Sequence, residues 1–148
     1  MKVAIAADHR GVQLKKKLKD FLTQNGHQVT DLGVHTEEPS DYPDVAFPLS
    51  QQVASGKFDR GILVCMSGTG MGICANKVKG VRAAICDNME HAKLSREHND
   101  ANVLILGSKF VSDDQACEIS KEWLATPFEG GRHAARVKKI TDFENSQK

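Results

Sequence analysis

Gly61-Ile-Leu-Val-Cys-Met-Ser-Gly-Thr-Gly-Met-Gly72 runs from an apolar stretch straight into a glycine-rich turn and then into residues spaced like a helix. A short apolar run of this kind reads as a strand buried on both faces, and a glycine turn followed by a helix is how such a strand ends in an α/β protein. The unpaired N–H groups of the turn, with the positive end of a helix behind them, attract phosphate or an oxyanion and favour a thiolate over a thiol. Cys65 stands one residue before the turn, so a lowered thiol pKa is expected there. A buried strand cysteine with no chemistry is the other reading of the same position.

Working outward, similar apolar runs occur at 3–7, 28–32, 81–86 and 103–106. Amphipathic stretches at helical spacing separate them, at 12–25, 45–55, 71–77, 89–97 and 114–124. Gly26 offers a C-cap for the first of these helices, and Ser112-Asp113-Asp114 offers N-capping side chains for the fifth. The alternation predicts one domain over 1–148, a three-layer α/β/α sandwich on a five-stranded parallel sheet of Rossmann-like type. A last basic helix, from Arg132 to about Phe143, follows the break Thr126-Pro-Phe-Glu-Gly-Gly131 and has no strand after it. Such a helix is expected to pack on a partner subunit.

At 148 residues the chain is long enough to bury a core without staples. Its net charge of +1 supplies no bulk attraction to nucleic acid or to acidic membranes, so any anion site has to be local. The apolar part of Met1 to Asp8 is too short for a signal peptide, and no apolar run approaches the length of a membrane span. A cytoplasmic protein is expected. The four cysteines, at 65, 74, 86 and 117, form no CxxC pair, so reduced thiols are expected and no metal site; the last three lie inside predicted elements and read as core.

In an open parallel sheet the ligand lies beyond the carboxyl ends of the strands. That rule gathers Asp8-His9, the turn after Cys65, Asp87-Asn88 and Gly107-Ser108-Lys109 around one expected crevice, with Tyr42 able to join them. Asp8 and His9 suit hydroxyls and a phosphate, or equally an N-cap and a surface histidine. Ser67, Gly68, Thr69 and Gly70 offer backbone donors, or simply a tight turn. Arg132 and Arg136, four residues apart on one helix face, make a forked pair suited to phosphate, or a solvated basic face. A rival reading takes the glycine run with Asp87, 19 residues after Gly68, as part of a dinucleotide fingerprint; the turn's place after the third strand and its spacing argue against it.

Taken in order, Asp8-His9, Asp41-Tyr42-Pro43, Cys65 with its Ser-Gly-Thr-Gly turn, Ala75-Asn76-Lys77, the Arg96 to Asn102 segment and Gly130-Gly131-Arg132-His133 resemble the type B ribose 5-phosphate isomerases and their relatives acting on allose and galactose 6-phosphates. The resemblance implies an aldose–ketose isomerase with no cofactor and no metal. It also implies a homodimer or homotetramer with active sites at the subunit interface. It assigns Cys65 as the base that moves a proton between C2 and C1 through a cis-enediolate, Ser67 as a proton relay and His98 as the group that opens the sugar ring. Tyr42, Asn99 and Asp8 would hold the sugar, while His9, Lys109, Arg132, His133 and Arg136 would surround the phosphate.

Some relatives use a glutamate of the glycine turn as the base. The matching position here is Met71, which leaves the role to Cys65. Met66 replaces a usual glycine, Ser67 a commoner threonine, and Lys109 an arginine able to grip phosphate with two parallel bonds. Ribose 5-phosphate and ribulose 5-phosphate are the expected substrates, with a hexose 6-phosphate as the near alternative and a nucleotide-binding regulatory module as the distant one.

Overall fold

The computed structural model describes residues 1–148. Its strands are β1 (Lys2–Ala7), β2 (Gln28–Asp31), β3 (Arg60–Cys65), β4 (Ala83–Ile85) and β5 (Val103–Gly107). Its helices are α1 (Val12–Gln24), α2 (Pro43–Ala54), α3 (Thr69–Asn76), α4 (Met89–Asn99), α5 (Asp113–Ala125) and α6 (Arg132–Ser146). The strands form one parallel sheet in the order β2-β1-β3-β5-β4.

Because successive strand residues point to opposite faces, β1, β3 and β5 build two cores at once. Val3, Ile5, Ala7, Ile62, Val64, Leu104 and Leu106 face one way, onto Leu14, Leu18 and Leu22 of α1, Ala92 of α4 and Trp123 of α5. Ala4, Ala6, Leu63, Cys65, Val103 and Ile105 face the other, onto α2 and α3 through Leu49, Val53, Met71 and Cys74. This is the expected three-layer sandwich. Ser112 begins α5 with a capping box, its hydroxyl accepting from the Gln115 N–H while the Gln115 side chain accepts from the Ser112 N–H.

Helix α2 starts at Pro43, α4 runs on to Asn99 and α6 to Ser146, each two or three residues beyond the sequence reading, and two further differences bear on the crevice and the sheet edge. The run 81–86 is only a three-residue strand, half exposed, because β4 is the edge of the sheet. Its outer side is closed by the Asn76 amide of α3, which donates to the Ala83 carbonyl at 3.0 Å and accepts from the Ala83 N–H at 2.9 Å. Helix α3 starts two residues earlier than its apolar spacing suggests, at Thr69, so the turn after β3 is only Met66 to Gly68. Gly68 takes φ +85° there, in the left-handed region that glycine adopts without penalty. No helix is long and apolar enough to cross a membrane.

Candidate active site

The strand order reverses between β1 and β3, since the chain runs outward from β1 to β2 and then returns to the far side of β1. The carboxyl ends of β1 and β3 therefore part there and open the crevice that α/β folds use for ligands. Asp8 ends one wall and Cys65 the other, with the Asp8 N–H donating to the Val64 carbonyl at 3.2 Å. Cys65 is 5% exposed and Asp8 6% exposed, so the thiol and the carboxylate share a largely dry corner.

The turn after β3 folds back onto the thiol. Gly68 N–H donates to Cys65 Sγ at 3.1 Å, and the amides of Met71 and Ser67 also act on it. These amides lower the thiol pKa, yet burial outweighs them and the Asp8 carboxylate works in the same direction as burial, so Cys65 is held above its ordinary value. Burial thus works against the thiolate expected from the helix terminus. The three amides instead offer a prepared seat for negative charge once it forms. The Thr69 N–H donates to Ser67 Oγ at 3.2 Å, which leaves the Ser67 hydroxyl proton free for another acceptor.

Tyr42 and His9 complete this end of the crevice. A Cβ on Gly70 would lie 2.6 Å from Tyr42 Cζ, so the tyrosine ring lies directly over the first turn of α3, and glycine is what allows it. His9 is held by Ser40: the His9 N–H donates to Ser40 Oγ at 3.1 Å, and the Ser40 N–H donates to His9 Nδ1 at 3.1 Å. An Nδ1 that accepts leaves the neutral imidazole proton on Nε2, where it can donate to an anion. Lys109 is exposed on the same rim, its N–H donating to the Met66 carbonyl at 3.0 Å.

The remaining candidates lie at the other end of the sheet. Helix α4 runs back against the strands, and its C-terminus is tied to their starting edge. Asn102 accepts from the Arg82 N–H at 2.8 Å and donates to the Gly80 carbonyl at 2.9 Å, while the Asn102 carbonyl accepts from the Gly61 N–H at 3.0 Å. His98 and Asn99, in the last turn of α4, therefore stand off from Cys65 by about the length of a six-residue strand, about 17 Å. His133 stacks on His98 with ring centroids 4.2 Å apart and planes 11° from parallel, which brings Arg132 and Arg136 of α6 to that same edge. The candidates expected in one crevice thus fall into two groups at opposite ends of the sheet, with Asp8, His9, Tyr42, Cys65, Ser67, Gly68, Thr69, Gly70 and Lys109 in one and His98, Asn99, Arg132, His133 and Arg136 in the other.

Asp87 lies farther round the same rim. It follows edge strand β4, separated from β3 by β5, and borders a hollow of about 270 Å³ together with Ser67 of the glycine turn, Gly107, Cys86 and His91. It thus stays beside the turn, as expected from the strand ends, while the place of the turn after β3 and its spacing still argue against a dinucleotide fingerprint. Cys74, Cys86 and Cys117 are buried free thiols, as core cysteines should be, and burial pushes Cys86 up to about 11.

His98, Glu129 and His133 bring possible ligand atoms within 4.8 Å of one another. Near-parallel imidazoles send their ring lone pairs into separate planes, so this stack does not converge on one ion as it stands. His133 Nε2 instead faces the Glu129 carboxylate at 3.4 Å, and burial together with neighbouring His98 and Arg132 holds the His133 pKa below its usual value.

Sequence reasoning missed the residues that aim these groups. Arg96, 3% exposed, donates to Asp100 Oδ1 at 2.8 Å, the Ala101 carbonyl at 2.6 Å and the Thr126 carbonyl at 3.2 Å. Together with Asp100 in the left-handed region at φ 48°, it shapes the turn that ends α4 beside His98. Ser40, which orients His9, sits in a loop with no local pattern of its own.

Comparison with known proteins agrees with this geometry over nearly the whole chain. Residues 3–140 match the family model described as Ribose/Galactose Isomerase. The ribose-5-phosphate isomerase B of Clostridium thermocellum is 49% identical, superposes with a TM-score of 0.96 and is matched over 98% of both chains. The ribose-5-phosphate isomerase B of Mycoplasma genitalium, solved with bound ribulose-5-phosphate, is 41% identical with a TM-score of 0.95, over 99% of this chain and 97% of that one. D-erythrulose-4-phosphate isomerase of Pectobacterium atrosepticum is 42% identical over 100% of this chain and 98% of its own length. With the sheet order, the glycine turn behind Cys65 and these likenesses in agreement, the chain belongs to the ribose/galactose isomerase family.

Proposed function

We propose that this protein interconverts D-ribose 5-phosphate and D-ribulose 5-phosphate through a cis-enediolate. The observation that carries the reading is Cys65, a thiol at the switch-point crevice with three backbone amides turned on its sulfur. As a base it takes the C2 proton of the open-chain aldose and returns it to C1, and the amides stabilise the thiolate that this cycle requires. The Ser67 hydroxyl, its oxygen already engaged by Thr69 N–H, relays a proton between the two substrate oxygens. Tyr42 bounds the sugar, and His9 Nε2–H and Lys109 meet the phosphate.

Ring opening and the rest of the phosphate grip need His98, Arg132, His133 and Arg136, which one chain holds at the opposite edge of its sheet. The reading therefore includes an assembly of at least two copies, in which one copy's α4 and α6 ends complete the other's crevice. The form of α6 supports it: this helix docks mainly on α4, and Ile140 and Phe143 are 46% and 66% exposed. Four reduced cysteines suit the cytoplasm, where the pentose phosphate pathway would be the setting.

The experiment is a panel of four-, five- and six-carbon aldose phosphates assayed with wild type and Cys65→Ala. Wild type is expected to give its highest kcat/KM with ribose 5-phosphate, and Cys65→Ala to lose about 10²-fold or more in kcat while retaining substrate binding. A preference for a tetrose or hexose phosphate overturns the substrate, and full activity in Cys65→Ala overturns the base.

A further inference from the structure

Lys15 is a charged residue in the first turn of α1, yet its side chain is 1% exposed, between buried Leu14 and Leu18. Its ammonium donates to Asp31 Oδ1 at 2.8 Å and to the Val34 carbonyl. Asp31 Oδ1 also accepts from the Gly33 N–H at 2.9 Å, and His35 Nδ1 stands 3.8 Å from Asp31 Oδ2. A buried ion pair is a poor source of net stability, because desolvation offsets most of the attraction, and well-packed apolar residues commonly replace one without loss. What such a pair does supply is a fixed geometry for the groups it holds.

Here those groups are the start of the loop from β2 to α2. Past Asp31 the chain stays beside β1: the Gly33 carbonyl accepts from the Ala7 N–H at 2.8 Å, and the Val34 N–H donates to the Ala7 carbonyl at 2.7 Å. The loop then delivers the Ser40 N–H to His9 Nδ1 and the Tyr42 ring to Gly70. Exposed residues make up most of the stretch between, so Lys15 and Asp31 are its buried anchor.

We infer that Lys15 is a positioning residue of the sugar-phosphate site: by clamping Asp31 and Val34 it sets the β2–α2 loop, and through Ser40 it holds the His9 proton on Nε2. The inference rests on the proposed function only in taking His9 and Tyr42 to meet the substrate. Lys15 touches no substrate itself.

The test is the double variant Lys15→Met/Asp31→Leu, which removes both charges together and leaves neither partner buried alone. Asp31→Asn is the milder second variant. Nitrogen-15 NMR of the imidazoles reads the His9 tautomer without any substrate. The wild type is expected to show Nε2–H alone, and the variants a mixture of tautomers. In the isomerase assay KM is expected to rise about tenfold while kcat stays within about threefold, because the loop misplaces binding groups and leaves Cys65 alone. An unchanged tautomer in folded Asp31→Asn or in the double variant overturns the inference, whatever the activity. A wild type with no turnover on any sugar phosphate, but with the tautomer shift present, sinks the proposed reaction and leaves the clamp standing.

Discussion

Replacing Gly70 by alanine sets two effects of opposite sign against each other. Gly70 lies in the first turn of α3, where alanine is the better helix former by up to about 1 kcal/mol. Its new Cβ, however, would stand 2.6, 2.7 and 2.9 Å from three atoms of the Tyr42 ring, against the 3.5–4.0 Å or so that carbon atoms prefer. Relieving three contacts of that depth lifts the ring by about 1 Å, at a cost of about 1–3 kcal/mol on the scale of overpacked sites. With Tyr42 present the net change is a loss of up to about 2 kcal/mol, a fall in Tm of up to about 8 °C for a chain of this size. In a Tyr42→Ala background the obstruction is gone and only propensity remains, so the same substitution raises Tm by up to about 4 °C. Tyr42 caps α2 without a side-chain hydrogen bond, so removing it leaves that cap unchanged and the cycle clean. Thermal unfolding of the four proteins measures the coupling. Equal shifts in both backgrounds, within about 0.5 kcal/mol, would refute the packing of Tyr42 on Gly70.

Asp8→Asn removes the carboxylate that disfavours the thiolate, so the pH profile of Cys65 alkylation by iodoacetamide is expected to move to lower pH; a profile that stays put or moves up separates the two groups. If the active site is shared between copies, Cys65→Ala and Arg132→Ala are each inactive alone but regain part of the wild-type rate when unfolded and refolded together, and a mixture as inactive as its parts contradicts sharing. Burial raises the Asp31 pKa, but its bonds from Lys15 and Gly33 overcome this and the net value is depressed, so Asp31 contributes stability that is fully present above the unfolded carboxylate pKa and is lost as pH falls through the folded value. Acid titrations of urea midpoints should accordingly show a shallower decline below about pH 4 for Asp31→Asn than for wild type.

The sheet, the helix order and the position of Cys65 were legible because each rests on local pattern. Apolar runs of β-branched residues make buried strands, and the glycine turn has to follow the strand it ends. The state of the thiol was not, since it depends on a balance between burial and amide bonds that exists only after α3 and Asp8 close around it. Neither was the division of the site. His98 and Arg132 sit in stretches with polar, site-like composition, but the direction of α4 across the sheet decides which end they reach. Buried Lys15 and Arg96 were invisible for a related reason: a charge in a helix reads as solvent-facing until its partner, 16 residues away for Asp31 and 30 for Thr126, is brought alongside.

The Asn76 amide on edge strand β4 has a bearing on how copies of this chain can meet. An open parallel sheet ends in a row of free N–H and C=O groups, a template on which another chain can add a strand and then another. At Ala83 both groups are already taken by one side chain from α3. The Asn76 amide thus meets that residue as a sixth strand would, without offering a new edge. A second chain laid along β4 finds the Ala83 position occupied, so contact between copies at this end leans on side chains, whose shape can be selective.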